Sequence, residues 1–327
     1  MELFRNVNVD WLGKKWYFLG FSLIFSVAGL ISMGVHWAHP VGGVHSPVPL
    51  GVDFRGGTQV QVQFAQTPEL NKIRQAMDAS GIRDSSIQPI RNVDQPTSND
   101  VLISLPEQTN ESALDTGRQQ IVDALRSHYN NAFTVRNVQV VGPTVGKQLE
   151  KQAGLATLYS MAGMLVYLWF RFQLIYGVAA VVACFHDTLI TLGAFALTNQ
   201  EISLTVIAAI LTLIGYSMND TIVVFDRIRE NLRLSRRESL PDVVNRSINQ
   251  TLSRTVLTSG LTFVTVLSLY VFGGQVLRGF SFALVIGILI GTYSSIAVAA
   301  PMLVAWQEWR LKRGKTTVLP AAKRSKV

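Results

Sequence analysis

Cysteine is almost absent from this sequence of 327 residues, and charged residues make up only 15% of it. Because Cys184 is the single cysteine, a disulfide within the chain is excluded. The five histidines are scattered and show no spacing typical of metal ligands. The sequence contains neither a phosphate-binding loop with a Lys-Ser/Thr pair nor a recognisable nucleophile–base pair. We therefore predict no metal site and no cofactor, and an energy source within the chain would have to be an ion gradient.

Apolar residues, in contrast, are abundant. Hydrophobic residues make up 48% of the chain and the mean hydropathy is positive, which is typical of a membrane protein. Six apolar runs are long enough to cross a hydrocarbon core of ~30 Å. They lie at about residues 17–37, 153–170, 174–197, 203–225, 255–273 and 280–305. The sequence predicts an α-helical integral membrane protein with six transmembrane helices in a lipid bilayer.

Basic residues predict the orientation of these helices. Lysine and arginine occur in residues 1–16, in the predicted loop 226–254 and in the tail 306–327, which favours a cytosolic location for all three. Both termini are then cytosolic, Arg278 is a single exception in an outer turn, and the net charge of +8 does not indicate nucleic-acid binding. A cleaved signal peptide is the alternative for the first run, but no small-x-small cleavage site follows it.

Residues 38–150 are polar and contain no run that could span a membrane. Hydrophobic periodicity predicts four strands and two helices here, in the order β-α-β-β-α-β. The predicted strands are 58–64, 86–93, 100–105 and 133–141, and the predicted helices are 68–80 and 111–129. This order is typical of a small α+β ferredoxin-like domain, which the orientation places outside the cytosol.

Asp220 is the residue that fits its apolar surroundings least. It lies in the fourth run, roughly 9 Å inside the charged edge at Asp226. A carboxylate at that depth costs a few kcal/mol, so it needs a partner, a water path or a proton. Tyr216 and Ser217 precede it by four and three residues and share its helix face, and Asn219 could line the same water path. Two interpretations stay open: a carboxylate that holds two helices together, and a carrier of protons or ions.

Three other polar side chains are candidates for the same network. Arg254, at the start of the fifth run, is either the cation that faces Asp220 or an ordinary arginine at the membrane interface. His186 and Asp187 are neighbours in the third run, so they point roughly 100° apart on a helix. We expect a packing role for His186, whereas Asp187 is costlier to bury and has either a packing or a polar-network role.

Two glycine patterns also stand out. Gly56 and Gly57 follow Asp53 between the first run and the first strand. Since neither a helix nor a Lys-Ser/Thr pair comes next, they predict a turn with positive φ rather than a phosphate loop. In the last run, small residues recur every fourth position: Gly279, Ala283, Gly287, Gly291 and Ser295. Such a stripe lets helices approach closely, either within this chain or against a partner protein.

Several motifs resemble those of the SecF family of protein-export membrane subunits, members of the resistance-nodulation-division-like superfamily. The matching segments are Asp53–Thr58 (DFRGGT), Gly215–Asn231 (GYSMNDTIVVFDRIREN), Ser247–Thr255 (SINQTLSRT), and Gly279–Leu284 with Gly291–Ser295. Together they cover most of the membrane part, whereas the predicted domain matches by position and element order only. Met218 is a mild departure, at a position where the family often has isoleucine.

The resemblance implies a non-enzymatic translocase subunit of the bacterial inner membrane that uses the proton gradient to assist polypeptide export. Asp220 and Arg254 would take part in proton movement, and residues 38–150 would lie in the periplasm. The implied partners are SecD, the channel subunits SecY, SecE and SecG, YajC, and unfolded exported polypeptides. Two alternatives stay open: a scaffold that only stabilises the export channel, and a proton-coupled exporter of small molecules or lipids.

Overall fold

The computed structural model describes residues 8–39, 45–82, 85–90, 99–106, 114–129, 132–172, 174–235 and 238–313. Its helices are α1 Lys15–Ala38, α2 Val52–Arg55, α3 Leu70–Ala79, α4 Leu114–Tyr129, α5 Pro143–Arg171, α6 Leu174–Thr198, α7 Leu204–Leu234, α8 Leu240–Phe272, α9 Gly274–Ser294 and α10 Ala300–Lys312. A π-helical turn, Ser295–Ala299, joins α9 to α10. Six helices are long and apolar enough to cross a membrane, with the segment Val276–Lys312 as the sixth. The predicted class is confirmed.

The long helices extend beyond the apolar runs that predict them. The second membrane helix begins at Pro143 rather than near residue 153, and proline is favoured in a first helical turn. The segment 226–254 is mostly helical, because α7 continues to Leu234 and α8 starts at Leu240, so its prediction as a loop is wrong. Charge marks where a helix leaves the hydrocarbon region, but lysine, arginine and glutamate are good helix formers and do not end a helix.

The predicted sheet domain is present between α1 and α5. Its strands are β1 Gly57–Phe64, β2 Ser86–Ile90, β3 Asn99–Pro106 and β4 Phe133–Val141. They pair antiparallel in the order β2-β3-β1-β4, as a ferredoxin-like β-α-β-β-α-β connection requires. Strand β2 was predicted to reach residue 93, but residues 91–98 lie outside the described part of the chain.

The core of this domain follows the predicted periodicity. Val60, Val62 and Phe64 are all buried on one face of β1, as the alternation predicts. They pack against the apolar faces of α3 and α4, to which Ile73 and Ile121 contribute fully buried side chains. The domain therefore has its own hydrophobic core, separate from that of the membrane helices.

Close helix crossings organise the membrane bundle. The small-residue stripe of α9 faces α7 within this chain: a Cβ added at Gly291 would lie 3.1 Å from Ser217 Cβ, and one added at Gly279 would lie 3.0 Å from a methyl group of Val206. The alternative that the stripe faces a partner protein is therefore wrong at these positions. Another close crossing joins α1 to α6, where a Cβ on Gly193 would lie 2.7 Å from the Cα of Gly29.

Candidate functional site

Asp220 lies near the middle of α7 and is only 3% exposed. Its Oδ2 accepts a hydrogen bond of 2.6 Å from the hydroxyl of Ser259 on α8. A hydroxyl offers one donor and no charge, whereas a carboxylate has about four acceptor sites. The contact with Ser259 therefore leaves the carboxylate far from saturated with donors, and none of the described residues forms an ion pair with it.

Arg254 is not that partner. The ion pairs formed by the described residues do not include one between Arg254 and Asp220. The arginine lies on the exposed side of α8 and precedes Ser259 by five residues, which is roughly 7.5 Å along the helix axis. A direct Asp220–Arg254 ion pair, one of the expected arrangements, is therefore absent from the described part of the chain, and Arg254 acts on Asp220 only through space by its charge.

The polar neighbours of Asp220 on α7 point in different directions. Ser217 shares a helix face with Asp220 by its spacing, but its hydroxyl donates to Asp187 Oδ2 at 2.6 Å. The Tyr216 hydroxyl is shielded from solvent and has no hydrogen-bond partner among the described residues. Asn219 is exposed on the outer surface of the bundle. The helix thus presents Asp220 inward and Asn219 outward, next to each other in sequence.

Asp187 forms a second polar centre, which joins three helices. Its side chain is 1% exposed, and Oδ2 accepts from Ser217 on α7 and, at 2.8 Å, from Ser294 at the end of α9. Its Oδ1 lies 3.0 Å from His186 Nδ1, so the adjacent histidine does reach it despite the difference in direction. The other ring nitrogen of His186 has no partner in the described part of the chain.

The π-helical turn begins directly after Ser294. One turn further along α7, the hydroxyl of Thr221 lies 2.9 Å from that of Ser295, the first residue of the π turn. Such turns are rare and are frequent at functional sites, because they interrupt the regular hydrogen bonding of a helix. The polar contacts between α7 and the last membrane helix therefore end at an irregular helical segment.

The Asp53–Gly57 motif lies at the N-terminal end of α7, although Asp53 and Leu204 are 151 residues apart in sequence. Its glycines adopt φ values of +77° and +126°, which confirms the predicted turn. Asp53 is 8% exposed, and its two oxygens bind different elements. Oδ2 accepts from the backbone N–H of Leu204, the first residue of α7, at 2.8 Å, and Oδ1 accepts from Gln139 of β4 at 2.6 Å.

Further contacts fix the sheet domain to the turn between α6 and α7. Gly51 and Ile202 are linked by a backbone hydrogen bond of 2.9 Å, and Gln88 of β2 donates to Glu201 at 3.1 Å. Burial lowers the pKa of the Arg55 guanidinium, and the carboxylate of Glu201 opposes that shift. The domain is therefore attached directly to the beginning of the helix that carries Asp220.

Sequence reasoning missed Ser259, Ser294 and Gln139. Serine and glutamine are common in many environments, and the contacts they make span 39, 107 and 86 residues. Helical periodicity shows which face a side chain occupies but not which helix it meets. The described residues contain no group of three histidine, cysteine or acidic side chains placed to hold a metal ion.

Comparison with known proteins shows the family. The sequence-family model of the C-terminal region of SecD/SecF protein-export membrane proteins matches residues 121–309. The family model of the SecD/SecF GG motif matches residues 42–68. The chain is similar to a protein translocase subunit SecF of Koribacter versatilis, with 56% identity over 98% of this chain and 96% of the relative. A second SecF subunit, from Calditerrivibrio nitroreducens, is 42% identical over 93% of this chain and 96% of the relative.

Solved structures agree. The crystal structure of SecDF from Thermus thermophilus, a translocon-associated membrane protein, is 35% identical with a TM-score of 0.78 over 93% of this chain. A SecDF crystal structure in a super-membrane-facing form gives 34% identity and a TM-score of 0.66 over 95% of this chain. The chain spans about two fifths of those longer proteins, 39% and 40% of their length. It belongs to the SecD/SecF family of protein-export membrane proteins.

Proposed function

We propose that this chain pairs with a SecD-type subunit in the bacterial inner membrane and uses the proton gradient to assist polypeptide export. In this proposal Asp220 binds and releases the proton. Both termini face the cytosol with residues 226–254, and residues 38–150 lie in the periplasm, where they act on emerging polypeptide. The proposal includes the channel subunits SecY, SecE and SecG, together with YajC, as further partners.

The observation that carries the proposal is the state of Asp220. A deeply placed carboxylate that has one hydroxyl donor and no bound cation is poorly stabilised when it is ionised. Protonation removes the charge, so the neighbours that stabilise α7 differ strongly between the protonated and the ionised state of Asp220. A group of this kind can move a helix, because each of its two states favours different neighbours.

Movement of α7 would reach the periplasmic domain through Asp53. The carboxylate of Asp53 binds the first backbone N–H of α7 on one side and Gln139 of β4 on the other. The backbone contact between Gly51 and Ile202 runs beside it. A shift or tilt of α7 therefore displaces the sheet domain without an intervening flexible linker.

The exposed side of α7 and α8 supports a protein partner at this site. It presents Thr212 and Asn219 on α7, with the half-buried Gly215 between them, and Arg254 and Thr258 on α8 beside the exposed Leu261. A Cβ added at Gly215 would meet nothing within 4 Å in this chain, so no contact here requires a glycine at that position. Small residues allow close approach of a second helix, which would bring a partner's ionisable group near Asp220 and Arg254.

Replacement of Asp220 by asparagine tests the proposal. The variant keeps the size and can still accept from Ser259, but it cannot carry a proton. We expect a normal amount of complex with SecD and loss of the part of export that an uncoupler abolishes in the wild type. Asp226→Asn is the matched control, because Asp226 is an exposed aspartate on the same helix whose ion pair with Arg171 is long, at 3.8 Å.

Two outcomes contradict the proposal. Export by Asp220→Asn at the wild-type rate would show that no proton passes through this carboxylate. Export that falls only in proportion to the amount of SecD complex would favour the scaffold interpretation, because the variant would then act through assembly alone.

A further inference from the structure

A groove separates the beginning of α6 from α10, at the end of the bundle where the basic tail emerges. Its volume is about 180 Å³, and its walls include Leu174 and Val178 of α6 and Met302 and Trp306 of α10. Arg310 lines it as well and is the one charged residue among the lining side chains. The groove thus combines an apolar channel with a single guanidinium.

Arg310 has an unfulfilled hydrogen-bond donor. Its Nε–H is shielded from solvent and meets no acceptor among the residues that the structure describes. A buried N–H without an acceptor is unfavourable, and a guanidinium binds oxyanions best with two parallel N–H groups, of which Nε–H is commonly one. The geometry is suited to an anionic oxygen ligand that arrives from outside the chain.

The surroundings of Arg310 are those of a membrane interface. The rings of Trp306 and Trp309 lie 5.4 Å apart, and the guanidinium of Arg313 stacks over Trp309 at 4.0 Å from the ring centre. Tryptophan and arginine concentrate where headgroups meet the hydrocarbon core. The charged end of the groove is therefore at headgroup level.

The apolar side of the groove continues along α6. Leu174, Val178, Val182 and Phe185 follow one another at helical spacing on the same side of the helix, and Phe185 is 59% exposed. This stripe covers roughly 16 Å, a length that an extended acyl chain can follow. The stripe contains no glycine, alanine or serine that would let a second helix approach closely, so lipid suits this surface better than a protein helix.

We propose that this groove is a binding site for one phospholipid with an anionic headgroup. The lipid phosphodiester binds the Arg310 guanidinium, including its Nε–H, and one acyl chain lies against Met302 and Val178 and along the α6 stripe. Basic pockets between transmembrane helices recognise anionic lipids by this combination of charge and apolar surface. The inference requires only that the chain spans a membrane and is independent of proton transfer at Asp220.

Native mass spectrometry of the purified 327-residue chain tests the site, with phosphatidylglycerol and phosphatidylcholine titrated side by side. We expect one retained phosphatidylglycerol, preferred about tenfold over phosphatidylcholine, and at least a roughly fivefold loss of that retention in Arg310→Gln. Lys312→Gln is the matched control: it removes the same charge two positions later, on another side of the helix, and should retain the lipid as the wild type does.

Filling the groove tests the acyl-chain contact. Val178→Trp and Met302→Trp obstruct it from opposite helices, so one variant remains informative if the other unfolds, and each should lower retention of the lipid. Equal losses in Arg310→Gln and Lys312→Gln, or no preference between the two lipids, would overturn the proposal in favour of unspecific surrounding lipid. Complete displacement of the lipid by inorganic phosphate would overturn it in favour of a simple anion site.

Discussion

Replacing Asp53 by alanine removes a side chain that links the sheet domain to α7. The Leu204 N–H loses an acceptor at 2.8 Å and the Gln139 amide loses one at 2.6 Å. A hydrogen bond to a charged group contributes about 1.5–3 kcal/mol, and a carboxylate at a helix N-terminus adds about 0.3–1 kcal/mol through the helix dipole. We expect α7 to lose about 3 kcal/mol of local stability at its first turn.

Hydrogen exchange measures this loss at individual amides. Since 1.4 kcal/mol corresponds to about a factor of ten, the Leu204 amide should exchange roughly a hundredfold faster in Asp53→Ala. Asp53→Asn keeps an acceptor but loses the charge, so we expect about a tenfold effect. Export should also fall in Asp53→Ala although Asp220 is intact, because the side-chain contact between the domain and the first turn of the helix is lost while the Gly51–Ile202 and Gln88–Glu201 contacts remain.

Ser203→Ala is the control for unspecific fraying of the helix end. Ser203 is the N-cap residue of the same helix, and its hydroxyl oxygen accepts a longer hydrogen bond of 3.4 Å from the Val206 N–H. Its loss should speed exchange at Val206 by less than tenfold and leave the Gln139 contact unchanged. If Leu204 exchanged at the wild-type rate in Asp53→Ala, the reasoning that links the domain to α7 would be refuted.

Two further changes test the packing that supports the site. Asp187→Ala removes the acceptor of the buried Ser217 hydroxyl and leaves the Ser294 hydroxyl with only the Gly291 carbonyl oxygen, at 3.1 Å. We expect it to destabilise the folded chain by about 2–4 kcal/mol, measured by thermal unfolding, with Asp187→Asn losing less than half of that. Equal stability of the wild type and the alanine variant would contradict the network. Gly193→Ala places a methyl group against the backbone of Gly29 and should lower the free energy of unfolding by about 1–3 kcal/mol. Gly163→Ala is the control, because nothing lies within 4 Å of the added methyl group, and it should be neutral or stabilising by up to about 1 kcal/mol. A change of stability of the same sign in both variants would refute the close crossing of α1 and α6.

The sequence was sufficient for the elements and for the anomaly at Asp220. Run lengths predicted six membrane helices, alternation predicted the buried face of β1, and a carboxylate inside an apolar run identified Asp220. Each of these inferences depends on one segment and its neighbours along the chain. The prediction of a loop at 226–254 was wrong, because charged residues indicate where the chain leaves the hydrocarbon region but do not end a helix.

Contacts between distant segments could not be predicted in the same way. Helical spacing allowed Ser217 to serve Asp220, but the packing of α7 on α6 turns its hydroxyl to Asp187. The Gly56–Gly57 turn was predicted correctly, yet nothing local indicated that Asp53 in front of it would cap a helix about 150 residues away. Such pairs depend on which helices pack together, and the sequence of one helix does not contain that information.

The two buried aspartates differ in a way that separates their roles. Asp187 contacts two serine hydroxyls and the His186 ring, and these ligands come from three helices. Any change in its charge would disturb all of them at once, which suits a fixed point of packing. Asp220 has the single hydroxyl of Ser259, and the next residue in sequence, Asn219, faces the outside of the bundle. Because proton exchange requires access and few competing donors, this difference supports assigning the exchange to Asp220, with Asp187 as the anchor against which α7 can move.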